Sequence, residues 1–163
     1  MSHDVASDLE KIKAQEALLV FEHFDRTTAW ELGNLIRQQV EAEGGFAAID
    51  IRRGDDCWFF TSMPGAGPAN ADWARRKRNL VNLTEIPSYR MNLEMQAGSP
   101  LLELMKLDGR DHVAAGGCFP IRVRDTGVVG TVTVSGLPQR DDHRVVVESI
   151  ARLLKLDLGS AAF

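Results

Sequence analysis

The hydrophobic positions of the chain change their spacing several times, and each spacing predicts one kind of element. Apolar residues recur at every third or fourth position early in the chain, which is typical of two amphipathic helices. Ser7–Glu10 and Thr28–Glu31 match capping boxes, which predicts that the two helices begin there. Gly44-Gly45 follows the second helix and is expected to end it.

Strand-like runs that are separated by turn residues then predict two β-hairpins. The predicted strands cover 46–52, 57–61, 112–123 and 128–135. Arg53–Asp56 has turn chemistry between the first two strands, and Asp125-Thr126-Gly127 has it between the last two. Gly116-Gly117 falls inside the third strand, which predicts a bulge or a close backbone approach.

Helical segments are predicted between and after the hairpins. Met63–Asn70 is a loop rich in glycine and proline, and Asn70 is expected to cap a helix over 71–83 that turns Trp73, Leu80 and Val81 inward. Further helices are predicted from Ser88, after Ser99-Pro100, and after Pro138. These elements predict a single-domain α+β fold over 1–163, with a mainly antiparallel sheet and helices packed on it in an α/β/α-like arrangement.

Composition and charge narrow the function classes. The chain has 163 residues, 44% hydrophobic and 26% charged, as a globular domain does, and its net charge of −4 disfavours nucleic-acid binding. Its polar first ten residues and two cysteines predict a cytoplasmic protein with reduced thiols. No apolar run is long enough to span a membrane, so we expect no membrane association.

Two histidines are candidates for chemistry. His112 stands where a loop meets a predicted strand, and either ligates a haem iron or a metal, acts as a general base, or is a half-exposed histidine without a function. His143 follows Asp141-Asp142, two acids that complement the dipole of the last helix. No catalytic or metal-binding signature is present in the sequence, which favours a binding protein over an enzyme.

Other polar residues carry a structural and a functional interpretation. The basic run Arg75–Arg78 follows the loop, but four consecutive helical residues fan out, so ion pairs on a solvated face are favoured over an anion site. Glu16 and Asp50 occupy core-like positions, where pairing with arginines is favoured over a perturbed acid in a pocket. Cys118 is expected to be a small core residue.

Several motifs together resemble a known family. They are Gln15-Glu16, Ala29–Gly33, Ile49–Arg52, Pro64-Gly65 with Asn70, Trp73, Arg76-Lys77 and Asn79, Gly116–Ile121, Val129–Pro138 and Asp142-His143. The pattern covers about residues 9–155 and is similar to a branch of the haem-degrading-domain superfamily related to the GlcG and HbpS proteins. The resemblance implies a homo-oligomer, and it makes haem the cofactor to consider.

Two function hypotheses follow from the residues and the resemblance. The first is a homo-oligomeric binding protein for a small anion or a protein partner, and the second is a haem-binding or haem-degrading protein with a histidine iron ligand. The candidate ligand contacts are Asn70, Trp73, Arg76, Lys77, Asn79, His112, Gly117 and His143. No catalytic residue and no metal ligand is predicted.

Overall fold

A computed structural model describes residues 4–163, and this part of the chain contains six α-helices and four β-strands. In chain order they are α1 (Val5–Leu18), α2 (Arg26–Ala42), β1 (Ala48–Arg53), β2 (Asp56–Ser62), α3 (Pro68–Thr84), α4 (Ser88–Gln96), α5 (Leu101–Met105), β3 (Cys118–Val123), β4 (Gly127–Ser135) and α6 (Gln139–Leu154). A 3₁₀ turn over Gly159–Ala161 lies near the C-terminus. No helix within the described residues has the length and apolar character needed to cross a membrane.

The four strands form one sheet in the order β2-β1-β4-β3, and each neighbouring pair is antiparallel. Ile49 in β1 lies opposite Thr61 of β2 on one side and Val134 of β4 on the other. The two hairpins therefore meet along β1 and β4, the two central strands. This confirms the predicted α+β class and the antiparallel sheet.

Helices cover both faces of this sheet. α2 and α6 pack on one face and enclose the main core, in which Leu32, Ile36 and Ile150 are fully buried. α3 packs over β1, β3 and β4 on the other face. Because both faces are covered, four consecutive residues of β1, Ala48 to Ile51, are buried. The predicted α/β/α-like layering is confirmed.

A smaller core closes the β3 side of the molecule. α1 packs against α4, and Ile12, Tyr89 and Leu93 form a buried cluster that Phe163 partly covers. At one end of the β3 edge, Phe21 exchanges backbone hydrogen bonds with Arg122 and Arg124. These contacts place the N-terminal helix and the last residues of the chain on the same side of the sheet.

The first two helices begin earlier than predicted. Asp4 caps α1 by accepting a hydrogen bond from the Ala6 amide at 3.1 Å, and Asp25 caps α2 by accepting one from the Thr28 amide at 2.8 Å. In both helices an aspartate three residues upstream of the predicted cap takes its place, since carboxylates are strong helix caps. The predicted starts at Ser7 and Thr28 are therefore wrong, although Thr28 takes part in the capping box of Asp25.

The third strand is shorter than predicted. β3 begins at Cys118, and Gly117 just before it has a φ of +129°, a conformation that departs from an extended strand. Residues 112–117 therefore form an irregular segment, and the predicted strand start at His112 is wrong. The predicted close backbone approach at the glycine pair is confirmed, because a Cβ atom on Gly116 would collide with the Gln139 carbonyl and one on Gly117 with the Val134 carbonyl.

Candidate functional site

The irregular segment before β3 forms one wall of a cleft with a volume of about 470 Å³. α3 and the loop that leads from β4 into α6 form the other walls, and we call this space the α3–α6 cleft. Its lining residues are Asn70, Trp73, Lys77, Asn92, Val113, Ala114, Ala115, Ser135, Gly136, Leu137, Gln139 and Asp142. The cleft therefore brings together residues from four parts of the chain that are far apart in sequence.

A buried ion pair forms the floor of the cleft. The Lys77 ammonium of α3 donates hydrogen bonds to Asp142 Oδ2 of α6 at 2.9 Å and to the Val134 carbonyl at 3.1 Å. Both charged side chains are only 3% exposed. The backbone amide of Leu137 donates to Asp142 Oδ1 at 2.9 Å, so the carboxylate is held from two sides.

Burial sets the protonation behaviour of this pair. It raises the pKa of Asp142 to about 6, against the opposing attraction of Lys77 and the hydrogen bonds from Leu137 and Gly136. The floor carries no net charge while Asp142 is ionised, and it carries one positive charge when Asp142 is protonated. The charge of the cleft floor therefore depends on whether Asp142 is protonated.

The backbone around the pair requires glycine. A Cβ atom on Gly117 would collide with the Val134 carbonyl, and one on Gly136 would come within 2.7 Å of the Ala47 Cα atom. Gly117 also has a positive φ, which any larger residue adopts at a cost. These two positions let β3 and β4 approach the floor closely enough for Lys77 to reach the Val134 carbonyl.

Side chains hold the irregular wall in place, although it has no secondary structure. Asn92 donates to the Ala114 carbonyl at 2.8 Å, and Gln139 accepts from the Gly116 amide at 3.1 Å. The Val113 amide donates to the carbonyl of Arg76 in α3 at 3.3 Å. The wall is therefore fixed at three points and is preformed for binding.

Three polar groups in the cleft keep hydrogen-bonding capacity within the described residues. Lys77 uses two of its three ammonium hydrogens on protein acceptors, and Asn70 uses its carbonyl oxygen to accept from the Gly67 amide, leaving its NH₂ group. The Ser135 hydroxyl neither donates nor accepts a hydrogen bond within residues 4–163. These groups can bind a ligand without first breaking a protein contact.

Trp73 gives the mouth of the cleft an aromatic surface. It is 40% exposed, and the Arg76 guanidinium lies over its ring at 4.2 Å from the ring centre. The prediction that Trp73 points inward is wrong, because Ala74 and Lys77 take the buried positions of this helix. Lys77 can be buried only because the Asp142 carboxylate lies opposite its ammonium group.

The structure brings together four of the eight candidate residues. Asn70, Trp73 and Lys77 line the cleft, and Gly117 lies directly beneath the Lys77 ammonium. Asn70 acts as a cap from inside α3, whose N-cap is Gly67, so its predicted position just before the helix is wrong. Arg76 supports Trp73 from outside the lining, and Asn79 donates to the Asp111 carbonyl at 2.9 Å.

Neither candidate histidine lines the cleft. His112 is half-buried next to the wall, and its Nδ1 atom lies 3.4 Å from the Asp108 carbonyl. His143 is 1% exposed in the smaller core, where its ring contacts Tyr89, Phe119 and Phe163. Among residues 4–163, no group of three or more histidines, cysteines or acids could hold a metal ion.

His143 is held as one neutral tautomer. Gln15 donates its NH₂ group to the Ala161 carbonyl at 2.7 Å, so its oxygen faces His143 Nε2 at 2.8 Å and accepts that proton. Burial lowers the pKa of His143 to about 3, and the Nδ1 atom has no hydrogen-bond partner within the described residues. The ring therefore serves as a neutral core residue.

The other polar residues at core-like positions pair as predicted. Glu16 binds Arg90 at 2.9 Å, and Asp50 binds Arg52 at 2.8 Å and also contacts Arg78. Arg75 and Arg76 share Asp72, while Lys77 pairs with Asp142 and Arg78 with Asp50, which confirms that the run fans out around α3. Cys118 is fully buried, as expected, and Cys57 is exposed; both are free.

Sequence reasoning missed several lining residues. Asn92 and Gln139 lie outside every motif, while Ser135 and Asp142 lie in motifs of the family resemblance but are not among the predicted ligand contacts. One signal was available, because Asp142 lies six residues after Gly136, the residue that follows β4, in the first turn of the next helix. Its pairing with Lys77, 65 residues away, depends on the tertiary fold.

Comparison with known proteins identifies relatives of this chain in sequence and in fold. A family model for HbpS-like haem-degrading proteins matches residues 24–151. A UPF0303 protein of Azotobacter vinelandii is 48% identical over 156 residues, covering 95% of this chain and 94% of the relative. The solved structure of the Ybr137w protein has a TM-score of 0.82 and 26% identity, over 90% of this chain and 87% of that chain. A PduOC:haem complex has a TM-score of 0.67 at 19% identity, over 81% of this chain and 94% of that chain, and shares the fold.

Proposed function

The chain belongs to the family of HbpS-like haem-degrading proteins, as its motifs indicated, and from this premise we propose a function. We propose that it is a cytoplasmic, homo-oligomeric binding protein that holds a small molecule in the α3–α6 cleft. Two free cysteines support a reducing compartment. Exposed apolar side chains such as Trp30, at 63% exposure, and Leu104, at 73%, support contacts with further copies or with a protein partner.

The observation that carries the proposal is the preformed cleft with polar groups left over for a ligand. Asn70, Ser135 and Lys77 offer hydrogen bonds, while Trp73 and Leu137 offer apolar surface in the same space. Binding sites for small molecules combine these two features, and a fixed wall lowers the entropy lost on binding. The ligand class is a small molecule with an apolar or aromatic body and acceptor oxygens, as in an aromatic carboxylic acid.

The charge of the floor predicts how binding depends on pH. A carboxylate ligand meets a neutral Lys77–Asp142 pair above the raised Asp142 pKa of about 6, and a positively charged floor below it. We therefore expect benzoate or naphthoate to bind more tightly at about pH 5 than at about pH 8, since the protonated floor attracts the anion. Their neutral amides should show no such dependence.

Isothermal titration calorimetry with these acids tests the proposal. Ala115→Leu places a larger side chain in the cleft and should abolish binding, while Ala42→Leu, at an exposed position of α2, should leave it unchanged. Equal affinity in Ala115→Leu and the wild type would place the ligand elsewhere. A lack of heat with every aromatic acid would reject this ligand class.

Haem is the second candidate ligand, and the family description and the PduOC:haem complex favour it. No histidine, cysteine, tyrosine or methionine lines the cleft, so iron ligation would fall to His112 at its edge. A haem site of this kind predicts a saturable Soret band with haemin that His112→Ala removes. Uptake that does not saturate, or that survives both His112→Ala and His143→Ala, would reject a histidine-ligated haem.

A further inference from the structure

A second cavity lies on the same face of the sheet, at the β2 edge. It has a volume of about 490 Å³, and we call it the α3–β2 groove. Its lining residues are Asp50, Arg52, Cys57, Phe60, Ala71, Asp72, Arg75 and Arg78. It shares no lining residue with the α3–α6 cleft.

A β-bulge builds the sheet side of this groove. Asp50 lies opposite Phe60 and Arg52 lies opposite Cys57, while Trp58 is an extra residue in β2 between them. The bulge shifts the alternation of side chains, so that Cys57 and Phe60 line the same cavity although they are three residues apart. Sequence alternation alone would place these two residues on opposite faces.

α3 supplies the other side of the groove with a row of arginines. Ala71, Arg75 and Arg78 follow one another at helical spacing and so share one face of the helix. Arg75 is bound on two sides, by Asp72 at 3.0 Å and by Asp111 at 2.9 Å. Arg78 contacts Asp50 through one terminal nitrogen.

The donor capacity of Arg78 exceeds what the protein uses. A guanidinium has five N–H donors, and within residues 4–163 Arg78 makes a hydrogen bond through NH1 alone, although its side chain is only 13% exposed. Arg52 commits its Nε atom to Asp50 and its NH1 atom to the Asp55 carbonyl at 3.4 Å. The three guanidiniums of the groove outnumber its two carboxylates, so the lining carries a net positive charge.

We propose that the α3–β2 groove is a second binding site, for an oxyanion carried on an apolar or aromatic group. The free N–H groups of Arg78 and Arg52 bind the phosphate or carboxylate oxygens, in the paired geometry that guanidinium favours. Phe60, which is 47% exposed, packs against the apolar group. This site is independent of the ligand proposed for the α3–α6 cleft.

Cys57 provides a direct reporter of occupancy, because it lines the groove and is exposed. The chain has one other cysteine, Cys118, which is fully buried and whose pKa burial raises to about 12. In the native protein iodoacetamide should therefore alkylate Cys57 alone, as intact mass spectrometry can measure. We expect phenyl phosphate to slow this alkylation in a saturable way, inorganic phosphate to slow it less, and phenol not to slow it.

Two arginine variants distinguish the loss of a binding contact in the groove from a general loss of positive charge. Arg78→Gln should weaken protection by phenyl phosphate about tenfold, the effect of losing a charge-assisted hydrogen bond. Arg37→Gln removes the same charge from α2, where Arg37 pairs with Glu41, and should leave protection unchanged. Benzoate in place of phenyl phosphate distinguishes a carboxylate site from a phosphate site.

Three results would overturn the proposal. One is an alkylation rate that phenyl phosphate and benzoate leave unchanged in the wild type. Another is equal protection in Arg78→Gln, once circular dichroism shows that this variant is folded. The third is a Cys57 that reacts only after unfolding, since the groove would then be covered in the native protein.

Discussion

At the scale of single residues, His143 shows how a titratable side chain is made part of a core. Its Nε2 proton is bound by Gln15, and the aromatic rings of Tyr89, Phe119 and Phe163 surround it. Two ionised groups act on its pKa, Asp8, which favours protonation, and Arg140, which opposes it. Burial is the largest effect, so the folded protein keeps the ring neutral far below its usual pKa.

This burial predicts a loss of stability in acid. The unfolded chain binds a proton at His143 near pH 6.5, but the folded chain does so only near pH 3, so stability is lost as the pH falls between these values. The loss should reach about 3 kcal/mol by about pH 4. Urea unfolding of the wild type and of His143→Leu checks this, because the variant lacks the titration.

The protonation of Asp142 changes the folding stability in the opposite direction over part of the same pH range. Its pKa is raised in the folded state, so the stability that its protonation contributes is present at low pH and is lost as the pH rises through about 6. Both proteins in the comparison contain Asp142, so its contribution cancels. A stability difference between wild type and His143→Leu that stays constant from about pH 8 to about pH 4 would contradict the neutral, buried histidine.

At the scale of elements, the Lys77–Asp142 pair connects α3 with α6 across the end of the sheet. Removal of one partner leaves a buried charge without its counter-ion, which costs about 3–5 kcal/mol. We expect this loss in both Lys77→Met and Asp142→Leu. The double variant should be more stable than the sum of the two losses predicts, because it removes both charges.

A double-mutant cycle measured by urea unfolding gives this coupling directly. The exposed pair of Arg37 and Glu41 in α2 is the matched control, and its coupling should be about 0.5 kcal/mol or less. Additive losses at Lys77 and Asp142 would show that the two side chains act independently.

The same helices show what the sequence could and could not predict. The hairpins, the helix that begins at Ser88 and the short helix after Ser99-Pro100 follow from local turn and proline chemistry, and the structure confirms them. The buried face of α3 depends on a distant partner, because Lys77 is buried only where Asp142 faces it. The hydrophobic periodicity of this segment therefore predicted wrongly that Trp73 points inward, and it did not predict that Lys77 is buried in the floor of the cleft.

At the scale of the whole molecule, the proposed homo-oligomer predicts a mass in solution. Sedimentation equilibrium at micromolar concentration should give a whole-number multiple of the chain mass greater than one, since several large apolar side chains are exposed. The fold class and the family could be predicted because they rest on patterns spread along the chain. The wall at 113–116 could not, because contacts with Asn92 and Gln139 hold it. A monomer across the concentration range would contradict the oligomer.

The central claim is that the α3–α6 cleft binds the ligand, and fluorine NMR of protein labelled with 5-fluorotryptophan tests it most directly. The chain has three tryptophans, Trp30, Trp58 and Trp73, and only Trp73 lines the cleft. Titration with naphthoate should shift the Trp73 resonance in a saturable way and leave the other two in place, and Ala115→Leu should remove the shift. A Trp73 resonance that stays unchanged at saturating naphthoate, or a shift confined to Trp30 or Trp58, would contradict the claim.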